Sequence, residues 1–594
     1  MIFPMPLKEE YGKDYYYLKE TKWENSLIDF FGKIKYGNSD IIFKKCLGFC
    51  EEEYEIIVDA SGIIICYSTE VGKFRASTSL RQMLQDGEAL AYCKIRDKPQ
   101  FERRAYMLDI SRCMMPKMKM LVWWIDLLAD LKYNELQLYM DSFCYKYEAF
   151  PKYTQGFDCL TSEDIEYLDQ YCADRFIDLV PNQNSLGHLA TWLEQPEFAH
   201  LGLTDGKEAA TTLNPLLDES IEFMDKLYSS LLPHFRSKYV SIGLDEAYGL
   251  GRFQTKEACE KYGKANVFMD YLNRISEVCE KKYGKTVMFW SDMIKNYPES
   301  HARIPKNAVA LNWGYDLILT QMAEEGCRDL KKLNIPYYVC PGNATWLSFT
   351  GRFDVMSFNT RTMGELGRKY GAKGYLMTDW GCGEGHMHFM VWGLVPCALA
   401  GQYGWNVGVP QNGENMRKDF IYASEQYIDK NVFHAEVSRL LYRMQQYYLL
   451  EPERMHNGTI CCYIFRQKLS EITVPGYDGF PDLKKCGDDF YFDNVIAYMK
   501  KCLKDLDKVE FDDQWKREIK VNAEMVILAT ELLKIRMNQR VSLELRDYLS
   551  DFIDRISNEY KTLWCLRNYE KGVEDFLGQL KERKRELYEM VMLE

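Results

Sequence analysis

The chain has 594 residues, 47% of them hydrophobic and 27% charged, with a formal net charge of −13. That length suggests several domains, roughly four by size alone and fewer if one is a barrel. The acidic balance argues against a general nucleic-acid binder, which would turn a basic face to phosphates, and no apolar run approaches the roughly 20 residues needed to cross a bilayer.

The N-terminus, "MIFPMPLKEEYGKDYYY", has no long apolar h-region. Together with 19 cysteines, an odd number without any Cys-x-x-Cys pair, this reads as reduced thiols in a cytoplasm. "YEIIVDASGIIICYS" is strand, turn, strand, and "EVGKFRASTSLRQMLQ" spaces its apolar residues for a helix. These predict a small α+β domain over residues 1–100. From about Ala105 short apolar runs alternate with amphipathic stretches such as "MLVWWIDLLADLKY" and "NVFMDYLNRISEVCEKKYG". The runs are "AYMLDIS", "ELQLYMD", "FIDLVPNQ", "YVSIGLDE", "TVMFWSDM", "AVALNWGYD", "PYYVCPG" and "GYLMTDWG".

Eight such β/α units predict a closed (β/α)8 TIM barrel over residues 101–415. The runs end in Asp141, Asn184, Asp245 with Glu246, Asp292, Trp313 with Tyr315, and Asp379 with Trp380. Barrel active sites lie at the C-terminal ends of the strands, so these side chains are expected to converge. Beyond about residue 420 strand signals thin out. Val521, Met525, Leu528, Leu532 and Ile535 form one apolar stripe, and residues 416–594 are expected to be a helical domain packed on the barrel. The charged run "KERKRE" reads as a solvated helix face, and these helices could supply a homodimer interface.

The adjacent carboxylates Asp245 and Glu246 need explaining. Neighbours within a strand point to opposite faces, but at its end both can face a pocket. Alone, such a pair is more often a helix N-terminal cluster or a solvated loop; its place at the end of the fourth strand favours chemistry. Carboxylates and many aromatics at a barrel mouth suggest sugar hydrolysis, yet the usual acids stand ~5–9.5 Å apart across the bond. One alternative makes Glu246 the general acid while the substrate's own 2-acetamido oxygen attacks the anomeric carbon and Asp245 orients that acetamide.

The stretch from Ser241 to Glu246 resembles the His-x-Gly-x-Asp-Glu signature of glycoside hydrolase family 20, the β-N-acetylhexosaminidases. "MLDISRCMMPKMKMLVWWIDLLADLKYNELQLYMD", "LVPNQNSLGHL", "MFWSDM", "CPGNATW" and "GYLMTDWG" look like family segments in family order. The small N-terminal domain, the helical C-terminal domain and "LWCLRNYEKG" resemble the compact bacterial exo-N-acetylglucosaminidases of that family. The resemblance implies Glu246 as acid/base and Asp245 as acetamide orienter, with Arg112 on ring hydroxyls. It also implies an Asp141–His188 pair behind Glu246, and aromatic walls from Trp290, Trp313 and Trp380, with Tyr315 and Trp346 beside them and Asp379 in support.

Ser241 departs from the signature histidine and Leu244 from a small residue. Cys382 stands where the family often has a carboxylate for the 4- and 6-hydroxyls, a contact that Glu384 is a candidate to restore. The implied activity is a retaining exo-β-N-acetylhexosaminidase acting on terminal GlcNAc or GalNAc of oligosaccharides through an oxazolinium intermediate. The alternatives are specificity for a 6-sulfated or disaccharide terminus, or a catalytically silent amino-sugar-binding barrel. Cys382, Glu384, His386 and His388 all carry metal-ligand chemistry, but crowded into one loop they are a weak signal, and neither metal nor cofactor is expected.

Overall fold

The computed structural model describes residues 2–590, apart from 21, 25, 86, 157, 296, 383–385, 409–414 and 472–489. Five strands form the N-terminal sheet: β1 (Lys8–Tyr17), β2 (Ile41–Lys45), β3 (Tyr54–Asp59), β4 (Gly62–Tyr67) and β5 (Ala89–Asp97). Their order is β1-β5-β3-β4-β2, antiparallel except for the β2–β4 pair.

The helix Glu70–Leu84 lies between this sheet and the barrel. Its position explains why it buries even Lys73 and Arg75. Arg75 Nε meets Glu52 Oε2 at 2.8 Å, and Arg104 of the first barrel strand reaches the same oxygen. Burial opposes the Glu52 charge, but the two guanidiniums outweigh it and hold the carboxyl at about 2. A second buried contact joins Lys132 to Asp97 at 3.1 Å, with Trp405 Nε1 donating to the same carboxylate. The seam between sheet and barrel is therefore built from paired charges rather than from apolar contact alone.

Eight parallel strands close the barrel: β6 (Arg103–Asp109), β7 (Glu135–Met140), β8 (Asp178–Gln183), β9 (Tyr239–Ser241), β10 (Thr286–Trp290), β11 (Val309–Trp313), β12 (Tyr337–Cys340) and β13 (Gly374–Asp379). Each lies within one of the apolar runs expected to form a strand or overlaps most of it. Ala105, Met107, Val180, Met288, Leu311 and Leu376 pack into one interior cluster, while helices such as Met118–Asp130 and Lys264–Tyr283 cover the outside. Burial on both faces is what makes these strands read as nearly continuous apolar runs. The fourth strand is the short one, stopping after Ser241.

The C-terminal region is helical. The stripe Val521, Met525, Leu528, Leu532 and Ile535 is buried along the helix Asp513–Asn538. Asn522 of that helix accepts from Phe389 N and Trp392 Nε1 at 3.0 and 2.7 Å, fastening it to the polypeptide that follows β13. The expectation for "KERKRE" needs correction. Arg583 and Glu586 are buried and pair at 3.0 Å, and Arg583 donates to the carbonyls of Ile464, Phe465 and Gln467. Those carbonyls lie in and just after the short helical turn Ile464–Arg466, and a guanidinium is a donor that can meet several at once. Among the described residues no helix is long and apolar enough to cross a membrane.

Candidate active site

The C-terminal ends of the barrel strands open into a cleft of about 450 Å³. Arg112, His188, Asp245, Glu246, Trp290, Trp313, Tyr315, Trp346 and Trp380 all line it, so most of the residues singled out in sequence converge.

The acids sit on a turn, not on the strand. After Ser241 the backbone enters the left-handed region at Gly243 (φ 70°), Leu244 (φ 75°) and Glu246 (φ 48°), and this breaks the alternation that would send neighbouring side chains apart. Two positions must be glycine for the turn to fit. A Cβ at Gly243 would lie 2.3 Å from Asn184 Oδ1, and one at Gly187 would lie 2.3 Å from the Asp245 carbonyl oxygen. Ser241 and Leu244 are fully buried away from the cleft, so neither departure from the signature faces a ligand.

His188 Nε2 stands 3.3 Å from Asp245 Oδ2 and 3.2 Å from Glu246 Oε2. Desolvation alone would depress this imidazole, but the Asp245 charge and the hydrogen bonds to both carboxylates raise it to about 10. It is an imidazolium at neutral pH. Burial works against the Asp245 charge too, yet His188, Arg112 and the Asn184 amide, whose Nδ2 donates to Oδ1 at 3.0 Å, keep its carboxyl below the usual range. Asp245 is thus an anion held in one orientation.

The expected Asp141–His188 pair is corrected. Asp141 Oδ2 instead accepts from Arg112 Nε at 3.3 Å, and the two partners of His188 are the adjacent acids themselves. The reason is positional: His188 adopts φ 57° and follows the glycine against which the acid-bearing turn packs. Arg112 is held further by Tyr139 OH at 3.3 Å and lies over the rings of Tyr139 and Trp380.

The aromatic wall is a connected set. Trp313 stacks on Tyr315 with centroids 5.0 Å apart, Tyr315 meets Trp346 edge-on at 5.2 Å, and Trp290 lies 5.9 Å from Trp380. Trp380 Nε1 donates to Tyr315 OH at 3.0 Å. Asp379 is a second correction: it does not line the cleft. Its Oδ2 accepts from Tyr106 OH at 2.7 Å, facing a small neighbouring cavity beside His386 and His388, because the last residue of β13 alternates away from the mouth. Cys382 is buried at the cleft wall, its sulfur accepting from Leu347 N at 3.3 Å. Glu384 lies outside the described residues.

Several wall residues escaped the reading of the sequence. His456, Asn457 and Arg466 reach the cleft from the C-terminal region, with Asn457 Oδ1 accepting from Trp346 Nε1 at 2.9 Å and His456 Nδ1 at 2.6 Å from Asp316. Nothing local marks them, since their partners lie about a hundred residues away in sequence. Asn184 and Asp292 carried a signal, as polar ends of apolar runs, but no role. Among the described residues no group of three or more His, Cys, Asp or Glu side chains is placed to hold a metal ion.

Residues 101–365 match the family described as glycosyl hydrolase family 20, catalytic domain. The chain is 27% identical to a lacto-N-biosidase of Bifidobacterium bifidum over 41% of its own length and 23% of that protein's. It is 23% identical to a beta-hexosaminidase of Vibrio furnissii over 52% and 55% of the two lengths. It thus spans about half the length of the second relative, and less of the first. In fold it resembles a β-N-acetylhexosaminidase from Bacteroides fragilis, with a TM-score of 0.57 at 19% identity over 73% of this chain and 96% of that one. It also resembles a chitobiase from Flavobacterium johnsoniae, with a TM-score of 0.59 at 16% identity over 98% and 99%.

Proposed function

We propose that the protein, whose residues 101–365 match the catalytic domain of glycosyl hydrolase family 20, is a retaining exo-β-N-acetylhexosaminidase that removes terminal β-linked GlcNAc or GalNAc from oligosaccharides. The observation that carries the mechanism is the imidazolium of His188 between Asp245 and Glu246. A sugar cannot stand between two carboxylates bridged by one ring nitrogen, so they are not a nucleophile and acid on opposite faces of the bond. They act from one side, and the nucleophile has to come from the substrate.

In the first step the acetamido oxygen attacks C1 as the glycosidic C–O bond breaks, and Glu246 gives its proton to the departing oxygen. Asp245, kept anionic by His188, accepts the acetamide N–H and stabilises the positive charge of the oxazolinium ring. In the second step Glu246, now a carboxylate, takes a proton from water as that water attacks C1 from the face the leaving group vacated, and the ring opens. Two displacements at C1 retain its configuration. Arg112 is the partner for ring hydroxyls, and Trp290, Trp313, Tyr315, Trp346 and Trp380 are the stacking surfaces. The free thiols among the described residues support a reducing compartment.

Release of p-nitrophenol from the β-GlcNAc glycoside, measured beside the GalNAc and glucose glycosides, tests the activity. Turnover of the acetamido sugars and none of glucose is expected. Turnover of none, with the amino sugar still bound, would favour the silent binding barrel.

A second reading is favoured by Arg466, which lies close enough to Cys382 to influence its thiol. A cation where the family often has a carboxylate suits a sugar carrying a 6-sulfate, and similarity to a lacto-N-biosidase keeps a disaccharide terminus in view. Matched plain, 6-sulfated and disaccharide glycosides separate these; a strong preference for the plain monosaccharide removes both.

A further inference from the structure

We propose that Asp292 is a positioning residue for the acid: its carboxylate anchors the backbone amide of Glu246 and so sets where the Glu246 carboxyl points. The inference rests on the glycosidase reading and adds to it a residue that does not touch the sugar.

The turn that presents the acids is an unfavourable one. Leu244 and Glu246 both lie in the left-handed region, and non-glycine residues persist there only when their surroundings over-determine them. The first half of the turn is well tied. Ile242 N donates to Met288 O and Trp290 N to Gly243 O, each at 2.9 Å, and Asn184 Nδ2 holds the Asp245 carboxylate. In the second half His188 meets the Glu246 carboxylate, and the tie to the Glu246 backbone comes from Asp292. Glu246 N donates to Asp292 Oδ2 at 3.1 Å.

Asp292 is well placed for this single task. It follows β10 by two residues, its Oδ1 is out of solvent with no hydrogen-bond partner among the described residues, and it does not line the cleft. A carboxyl placed beside Asp245 and Glu246, whose charges Lys295 offsets only in part, is costly to keep. Desolvation and the Asp245 charge push it up to about 7. Fold stability alone would favour a neutral residue there. Among the described residues the hydrogen bond its carboxylate makes is to the residue whose orientation decides proton transfer, and a general acid must lie within hydrogen-bond reach of the leaving oxygen.

The test compares Asp292→Leu, which keeps the branching at Cγ in a somewhat larger side chain without an acceptor, with Asp292→Asn, which keeps an acceptor oxygen and loses the charge. For Asp292→Leu, kcat is expected to fall by on the order of 10²-fold with KM little changed, the loss growing as the leaving group becomes poorer, because a displaced acid fails most where protonation matters most. Asp292→Asn should recover most of that loss. Equal losses in the two variants, or a Leu loss independent of the leaving group, would overturn the inference. Crystal structures of both variants read the turn whatever the enzyme hydrolyses. Glu246 should leave the left-handed region in the Leu variant and keep it in the Asn variant, and an unmoved turn in the Leu variant would equally refute the idea. A wild-type protein inactive on every β-hexosaminide would defeat the glycosidase reading instead, leaving the structures to decide the anchoring.

Discussion

Asp245 and Glu246 are adjacent in sequence but differ in their surroundings, and that difference separates their roles. Asp245 is buried and tied by Asn184 and His188, whereas Glu246 is more open to the cleft. Replacing Glu246 with Gln should therefore lower turnover by ~10²–10⁴-fold while leaving ligand binding largely intact, the contribution of a positioned general acid. An aryl glycoside with a good leaving group should suffer less, which a leaving-group series measures. A thiazoline that mimics the cyclised intermediate should bind far more tightly than substrate, since it resembles what the site is shaped to stabilise; weak inhibition would speak against attack by the acetamide. At this scale the sequence was legible where chemistry-bearing residues stand at strand ends. It misled at Asp141 and Asp379, where only side-chain direction decided the partner.

At the scale of elements, the site depends on one short strand and the turn after it. β9 ends at Ser241, two acids follow on a left-handed path, and Gly187 of the preceding βα loop packs against the Asp245 carbonyl. Gly187→Ala should push that carbonyl away and lower kcat on the order of 10²-fold, the cost typical of a displacement near 1 Å. Circular dichroism should show the fold retained, because the clash is confined to the loop. Loss of folding would mean that the turn is a structural element before it is a catalytic one. The periodicity of apolar residues located the strand but not its end, since "YVSIGL" stays apolar past the point where hydrogen bonding stops. The buried Arg583–Glu586 pair shows the same limit in a helix: a run of charges does not say which of them turns inward to a carbonyl.

For the whole molecule, buried titratable groups set opposite dependences of stability on pH. His386 and His388 are buried, with Nδ1 atoms unpartnered among the described residues, and burial depresses them, His386 to about 4. Their folded values lie below the unfolded value near ~6.5, so the stability they confer is present above that pH and is lost as pH falls toward 4. Glu451 has the reverse sign. Burial raises it to about 7 although Ile460 N and Cys461 N donate to it, so its contribution is present below ~4 and is lost as pH rises through 7. Melting temperatures across this range should show Glu451→Gln gaining on the wild type at pH 8 but not at pH 5, by on the order of 1–2 °C. His388→Gln should flatten the loss on the acid side. The sheet–barrel seam is the other global liability. Glu52→Gln would leave Arg75 and Arg104 without their shared carboxylate, at a cost of about 3–5 kcal/mol, read as a lowered melting temperature.

The sequence by itself determined the secondary-structure plan, because burial on two faces, one face or one stripe leaves distinct spacings of apolar residues. The order of eight β/α units and the residues at the strand ends followed from it. Tertiary structure alone decided which of those residues face the cleft, that His188 answers to the two acids and Asp141 to Arg112, and that the C-terminal region contributes His456, Asn457 and Arg466. Those outcomes depend on side-chain direction and on contacts between residues from about thirty to over a hundred apart. Such contacts leave no periodic trace, since each is satisfied by a single partner whose distance along the chain is set by the fold.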